Sequence, residues 1–125
     1  MRSRIFNFIE KAKIAKEGIG FEFKIDEKLA EIKLSSIVGI NIYRTIQESI
    51  NNAIKYSNGT KISVDVKSFD DKIQIEVKDN GNGFDIENID FGNGLNNMKK
   101  RIEEIDGTFE INTLLNKGTI ISILI

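Results

Sequence analysis

The apolar residues between Ile37 and Val77 change their period, and that change limits what the chain can fold into. Up to Tyr56 they recur at helical spacing, with Ile46, Ile50, Ala53 and Ile54 on one side. From Ile62 onward they alternate, as Ile62, Val64 and Val66 and then Ile73, Ile75 and Val77. The first pattern buries one stripe of a helix and the second buries one face of a strand. A long helix from about Ile37 to Tyr56, capped at Ser35 or Ser36 and stopped at Asn58-Gly59, must therefore pack on an antiparallel hairpin that turns at Phe69-Asp70-Asp71. A first helix is predicted from about Arg4 to Lys16, where Ile5, Phe8, Ile9, Ala12 and Ala15 hold helical spacing and Gly18 and Gly20 supply the stop. Phe21, Phe23 and Ile25 read as a half-buried strand. The segment "DEKLAEIKL" fits neither period. A third helix carries Leu95, Met98, Ile102 and Ile105 and ends at Gly107, and a last hairpin turns at Asn116-Lys117-Gly118. Three helices and a mostly antiparallel sheet predict a two-layer α+β sandwich.

Composition narrows the chemistry. A chain of 125 residues is expected to form one domain with a core of its own, without staples. It has neither Cys nor His, which excludes a disulfide framework, thiolate or imidazole zinc sites, and the Ser/His and Cys/His catalytic arrangements. The missing Cys also fits a reducing, cytoplasmic setting. A net charge of −1 gives no basic field for nucleic acid or a membrane surface. No apolar run is long enough to span a bilayer, and "MRSRIF" lacks the apolar region of a secretory signal.

Three groups of residues carry the chemical signal. In "QESINNAIKYSNG", Glu48, Asn52 and Lys55 fall at i, i+4 and i+7, on one arc roughly 60° wide, opposite the apolar side. A solvated helix face can look the same, but the loop that follows favours a site. "DNGNGFDIENIDFGNG" interrupts the pattern for sixteen residues, with one glycine pair after a buried strand and another before a helix. Glycines entering a helix let backbone N–H groups and the helix dipole meet an anion, which outlines a phosphate site. Either pair alone could equally be a turn. Asp79 ends an inward-facing alternation, where a carboxylate is costly unless it meets a donor. The exocyclic amine of adenine is such a donor, whereas guanine presents a carbonyl oxygen at the same ring position; a turn-initiating Asp is the plainer reading. Asn52, with Glu48 near it, offers oxygen to Mg²⁺, which keeps water and substrate phosphates as its other ligands. Lys55 offers a point charge to a phosphate.

In order, "QESINNAIKYS", "VKDNGNGFD", "GNGLNNMKKR" and "NKGTIISI" resemble the N, G1 and G2 boxes and the closing Gly-Thr strand of the histidine-kinase ATP-binding domain, in the superfamily shared with DNA gyrase and the mismatch-repair ATPases. The resemblance covers about Ile37 to Ile125. It implies a Bergerat-type ATP-binding fold, a mixed sheet of about five strands packed on three helices, with ATP and Mg²⁺ as cofactors. Residue by residue, it implies that Asn52 binds Mg²⁺, that Lys55 and Tyr56 line the phosphates and lid, and that Asp79 reads adenine. Gly81 and Gly83 would open the lid, Gly92 and Gly94, followed by Leu95, would meet the phosphates, and Thr119 would help Asp79 hold a water against adenine. Glu48 activates water in the ATPase relatives and mainly supports the metal in many kinases; both roles stay open. The short lid, Phe84 to Phe91, resembles the nitrate-sensor and desaturase-regulator type of kinase.

Two departures qualify the resemblance. Tyr56 stands where many members of this subgroup carry His, and the chain lacks the phosphoacceptor His of a complete sensor kinase. The expectation is a catalytic domain, residues 1–125, that donates the γ-phosphoryl group to a histidine on the separate dimerisation domain of a parent kinase. A response regulator would be engaged only indirectly, with no nucleic acid and no direct membrane contact, whether or not the parent is membrane-anchored. The alternatives are a stand-alone serine kinase of the anti-sigma-factor type and a non-catalytic adenine-nucleotide module. A gyrase-type ATPase would need a second domain to supply another lysine.

Overall fold

Alternation along the strands and helical spacing between them produce nine elements in a computed structural model that describes residues 2–30, 36–56, 59–82, 94–114 and 116–125. In chain order they are α1 (Arg2–Ala15), β1 (Gly20–Ile25), α2 (Glu27–Ala30), α3 (Ser36–Tyr56), β2 (Lys61–Phe69), β3 (Lys72–Asp79), α4 (Gly94–Glu103), β4 (Thr108–Leu114) and β5 (Gly118–Leu124). The strands form one sheet in the order β1-β2-β3-β5-β4. Only the β1–β2 pair is parallel, and α2 and α3 lie on the crossover that such a pair requires.

The register shows why the apolar alternations were needed. Val64 lies opposite Val77, and Val77 opposite Ile121; Val66 lies opposite Ile75, and Ile75 opposite Ile123. These rows share one face, and α3 and α4 cover it with Ile42, Ile46, Ile50, Met98 and Ile102, all at most 1% exposed. α1 adds Ile5 and Ile9 to the same core. Burying a side chain of this size contributes about 1.5–3 kcal/mol, so this one face carries most of the folding drive.

The expected elements are present within a few residues of their expected bounds, with one addition. "DEKLAEIKL" begins with a single helical turn, α2, whose Leu29 is buried, so four helices pack on the sheet where three were expected. A four-residue turn is shorter than the window in which a helical period can be read. The turns have the backbone their residues suggest: Asp70 and Asp71 both take positive φ between β2 and β3, and so do Asn116 before β5 and Gly118 at its first position.

Candidate nucleotide site

Asp79 is the last residue of β3, and the alternation that buries Ile75 and Val77 puts its carboxylate on the same, helix-facing side of the sheet. A row crosses the sheet here, Ile62–Asp79–Thr119–Thr113. It marks the boundary at which the core face turns polar. The Gly81 N–H donates to Asp79 Oδ1 at 2.9 Å, and the backbone N–H of Thr119 also donates to this carboxylate. Burial nevertheless pushes its pKa above the ordinary value, with the two N–H groups opposing the shift. The group is half-buried and held by neutral donors. Thr119 is buried beside it, with its Oγ1 2.9 Å from Thr113 Oγ1.

Two glycines let the backbone close around this carboxylate. Gly118, at φ 84°, lies so near the Asp79 carbonyl that a Cβ there would overlap the oxygen. A Cβ on Gly59 would meet Asn80 Oδ1 at 2.7 Å and Gly81 N at 2.8 Å. Asn80 ties the segment leaving α3 to the end of β3: its Oδ1 accepts from the N–H groups of Thr60 and Lys61 at 2.9 Å each, and its Nδ2 donates to Thr60 Oγ1 at 3.1 Å. Sequence reading took Asn80 only as part of a turn. The signal for this clamp was the pairing of Asn-Gly at Asn80-Gly81 with Gly59, which no local period reveals.

On α3, Glu48 and Asn52 are half-buried and Lys55 is exposed, so the arc expected from helical spacing is present. Three contacts set α3 against α4. Asn41 Nδ2 donates to the Arg101 carbonyl at 2.8 Å, Ser49 Oγ lies 3.4 Å from Met98 Sδ, and Arg101 Nη1 donates to Glu48 Oε2 at 2.8 Å. As α3 runs from Asn41 to Ser49, its partners on α4 run backward from Arg101 to Met98. Gly94 opens α4, and Leu95 in its first turn packs on the core. The structure sets Glu48 against Arg101 of α4. The Arg101–Glu48 bond is a contact that sequence spacing could not identify, because its partners stand 53 positions apart.

Asn52 and Lys55 also line a cleft of about 690 Å³ between α1 and α3, which Asp79 and Thr119 do not reach. Tyr56 closes α3, but its side chain lies outside the description. Gly83, Gly92 and the expected lid, Phe84 to Phe91, lie outside the described residues. Among the described residues no three carboxylates gather to hold a metal, and no helix is long and apolar enough to cross a membrane.

Comparison with known proteins adds three findings. Residues 37–125 match the family described as histidine kinase-, DNA gyrase B- and HSP90-like ATPases. The sensor protein VraS of Staphylococcus aureus is 35% identical over 101 residues, which is 80% of this chain and 29% of that protein, so the chain spans under a third of this curated relative. Among solved structures, the histidine kinase domain of the Erythrobacter litoralis blue-light activated kinase superimposes with a TM-score of 0.79 at 16% identity, over 98% of this chain and 57% of that one. The mycobacterial sensor histidine kinase MprB gives 0.72 at 18% identity, over 98% and 91%. At such identities these two likenesses speak for the fold.

Proposed function

The chain belongs to the family of histidine kinase-, DNA gyrase B- and HSP90-like ATPases, and from that premise we propose that it is the Mg-ATP-binding catalytic domain of a two-component sensor histidine kinase. Its substrate is ATP, and the acceptor is a histidine on a separate dimerisation domain of the parent protein, from which a response regulator is served in turn. Both steps belong on the cytoplasmic side, whether or not the parent is anchored in a membrane.

The observation that carries this reading is the carboxylate of Asp79 at the polar boundary of the core face, fixed by two backbone N–H groups. A half-buried acceptor held by neutral N–H donors is matched by the amine of adenine and mismatched by the carbonyl of guanine. The arc of Asn52 and Lys55 then faces the phosphates, and the glycine-led start of α4 offers them its N–H groups. Lys55 contributes charge, while α3 and α4, bolted together, contribute fixed positions. The donors on α3 fit Mg²⁺: with no acidic cluster among the described residues, the chain offers the Asn52 amide oxygen and one oxygen of Glu48, a sparse set typical of magnesium held largely by phosphate and water. When bound, Mg²⁺ neutralises charge on the terminal phosphates. Glu48 supports that site more readily than it acts as a base, because Arg101 already engages one of its oxygens.

Isothermal titration with Mg-ATP, Mg-ADP and Mg-GTP tests the reading. Binding of both adenine nucleotides and at least roughly tenfold weaker binding of GTP is expected, the worth of one hydrogen bond to a charged group. Equal affinity for ATP and GTP would overturn the role of Asp79.

A further inference from the structure

We infer that Arg101 is a positioning residue for Glu48 that makes the site tolerant of the third phosphate; this rests on the nucleotide reading above. Arg101 and Glu48 belong to different helices, both side chains are only 29% exposed, and the N–O distance is 2.8 Å. That is a partly desolvated, charge-assisted bond, not a surface pair free to come and go. Arg101 is also held from behind, since its carbonyl accepts from Asn41 Nδ2. Asn41 Nδ2 also lies 3.4 Å from the carboxylate of Glu104, just past the end of α4. The guanidinium is therefore fixed in place and directed at Glu48.

The charge arithmetic gives the pair its purpose. Glu48 lies one helical turn from Asn52 on the same arc of α3. On the nucleotide reading this arc faces the terminal phosphates, so an uncompensated Glu48 would place a negative charge against the most anionic part of the ligand. ADP lacks the γ-phosphate and would feel that charge less. Arg101 compensates it from α4, across a 2.8 Å bond. The same bond fixes the position of Oε2. A purely structural strut between α3 and α4 would show no preference between nucleotides.

Calorimetric affinities for Mg-ATP and Mg-ADP, measured on the 125-residue chain, separate these possibilities. Arg101→Ala should weaken ATP about fivefold more than ADP, the scale of one unscreened charge several ångströms away. Adding Glu48→Gln in the same chain should make the discrimination against ATP smaller than in Arg101→Ala alone, because the double variant no longer holds the uncompensated charge, whatever Glu48→Gln by itself costs in support of Mg²⁺. Arg101→Lys, which retains the charge and guards against a folding defect, should keep the parent ratio. Parallel loss of both nucleotides in Arg101→Ala, or a double variant that discriminates against ATP as much as Arg101→Ala alone, would overturn the proposal while leaving the nucleotide reading intact. A parent chain that binds neither nucleotide would overturn both together.

Discussion

Asp79 carries a pH signature that its neighbours set. Burial raises its pKa, so the folded chain holds the proton more tightly than the unfolded chain does. The sign follows: stability is greatest below the unfolded value, about 3.9, falls as pH rises through the raised folded value, and is level above it. Asp79→Asn should remove this falling limb, as read by urea unfolding across acid pH; an unchanged limb would assign it to another group. Ligand binding has the opposite slope. Adenine requires the ionised carboxylate, so ATP affinity should weaken as pH drops through the raised value, with proton release on binding in that window. Asp79→Ala should cost about 1.5–3 kcal/mol of nucleotide binding, roughly ten- to a hundredfold. Asn52→Ala makes a different prediction. It removes the oxygen proposed to meet Mg²⁺, outside the buried core, so the Mg²⁺ dependence of ATP affinity should disappear, while stability changes by about 0.5 kcal/mol or less. Melting curves and titrations with and without Mg²⁺ check both halves.

Among the elements, the β3–β5 junction is the part of the site most sensitive to one added methyl group. Gly118 sits at positive φ against the Asp79 carbonyl. Gly118→Ala should therefore lower stability by roughly 1–3 kcal/mol and also weaken ATP, because the backbone that carries Asp79 must move. Loss of stability with unaltered affinity would show that the junction does not position Asp79. α3, the β2–β3 hairpin and Asp79 were legible in the sequence because each announces itself within a few residues: Ile42, Ile46 and Ile50 by helical period, Ile75 and Val77 by alternation. The parallel partnership of β1 with β2 was not, since a strand's neighbour is decided by tertiary pairing and not by its own period. The Asn80 clamp and the Glu48–Arg101 bond were hidden for the same reason. Their partners stand 20 and 53 positions apart, and each side chain alone reads as ordinary polar surface.

At the scale of the whole molecule, one face of a five-stranded sheet is covered by helices, and the proposed nucleotide site lies where that covering ends. The chain has no histidine, so the kinase reading requires an acceptor on another domain and predicts that the domain will not label itself with acid-labile phosphate. The most direct measurement is incubation with Mg-ATP labelled at the γ-phosphate, alone and with a histidine-bearing helical hairpin from the parent kinase. Acid-labile, base-stable label should appear on the hairpin only, should require both Mg²⁺ and the catalytic domain, and should be lost with Asn52→Ala. Acid-stable label on Ser or Thr of an added partner, or ATP binding without transfer to the hairpin's histidine, would contradict the account.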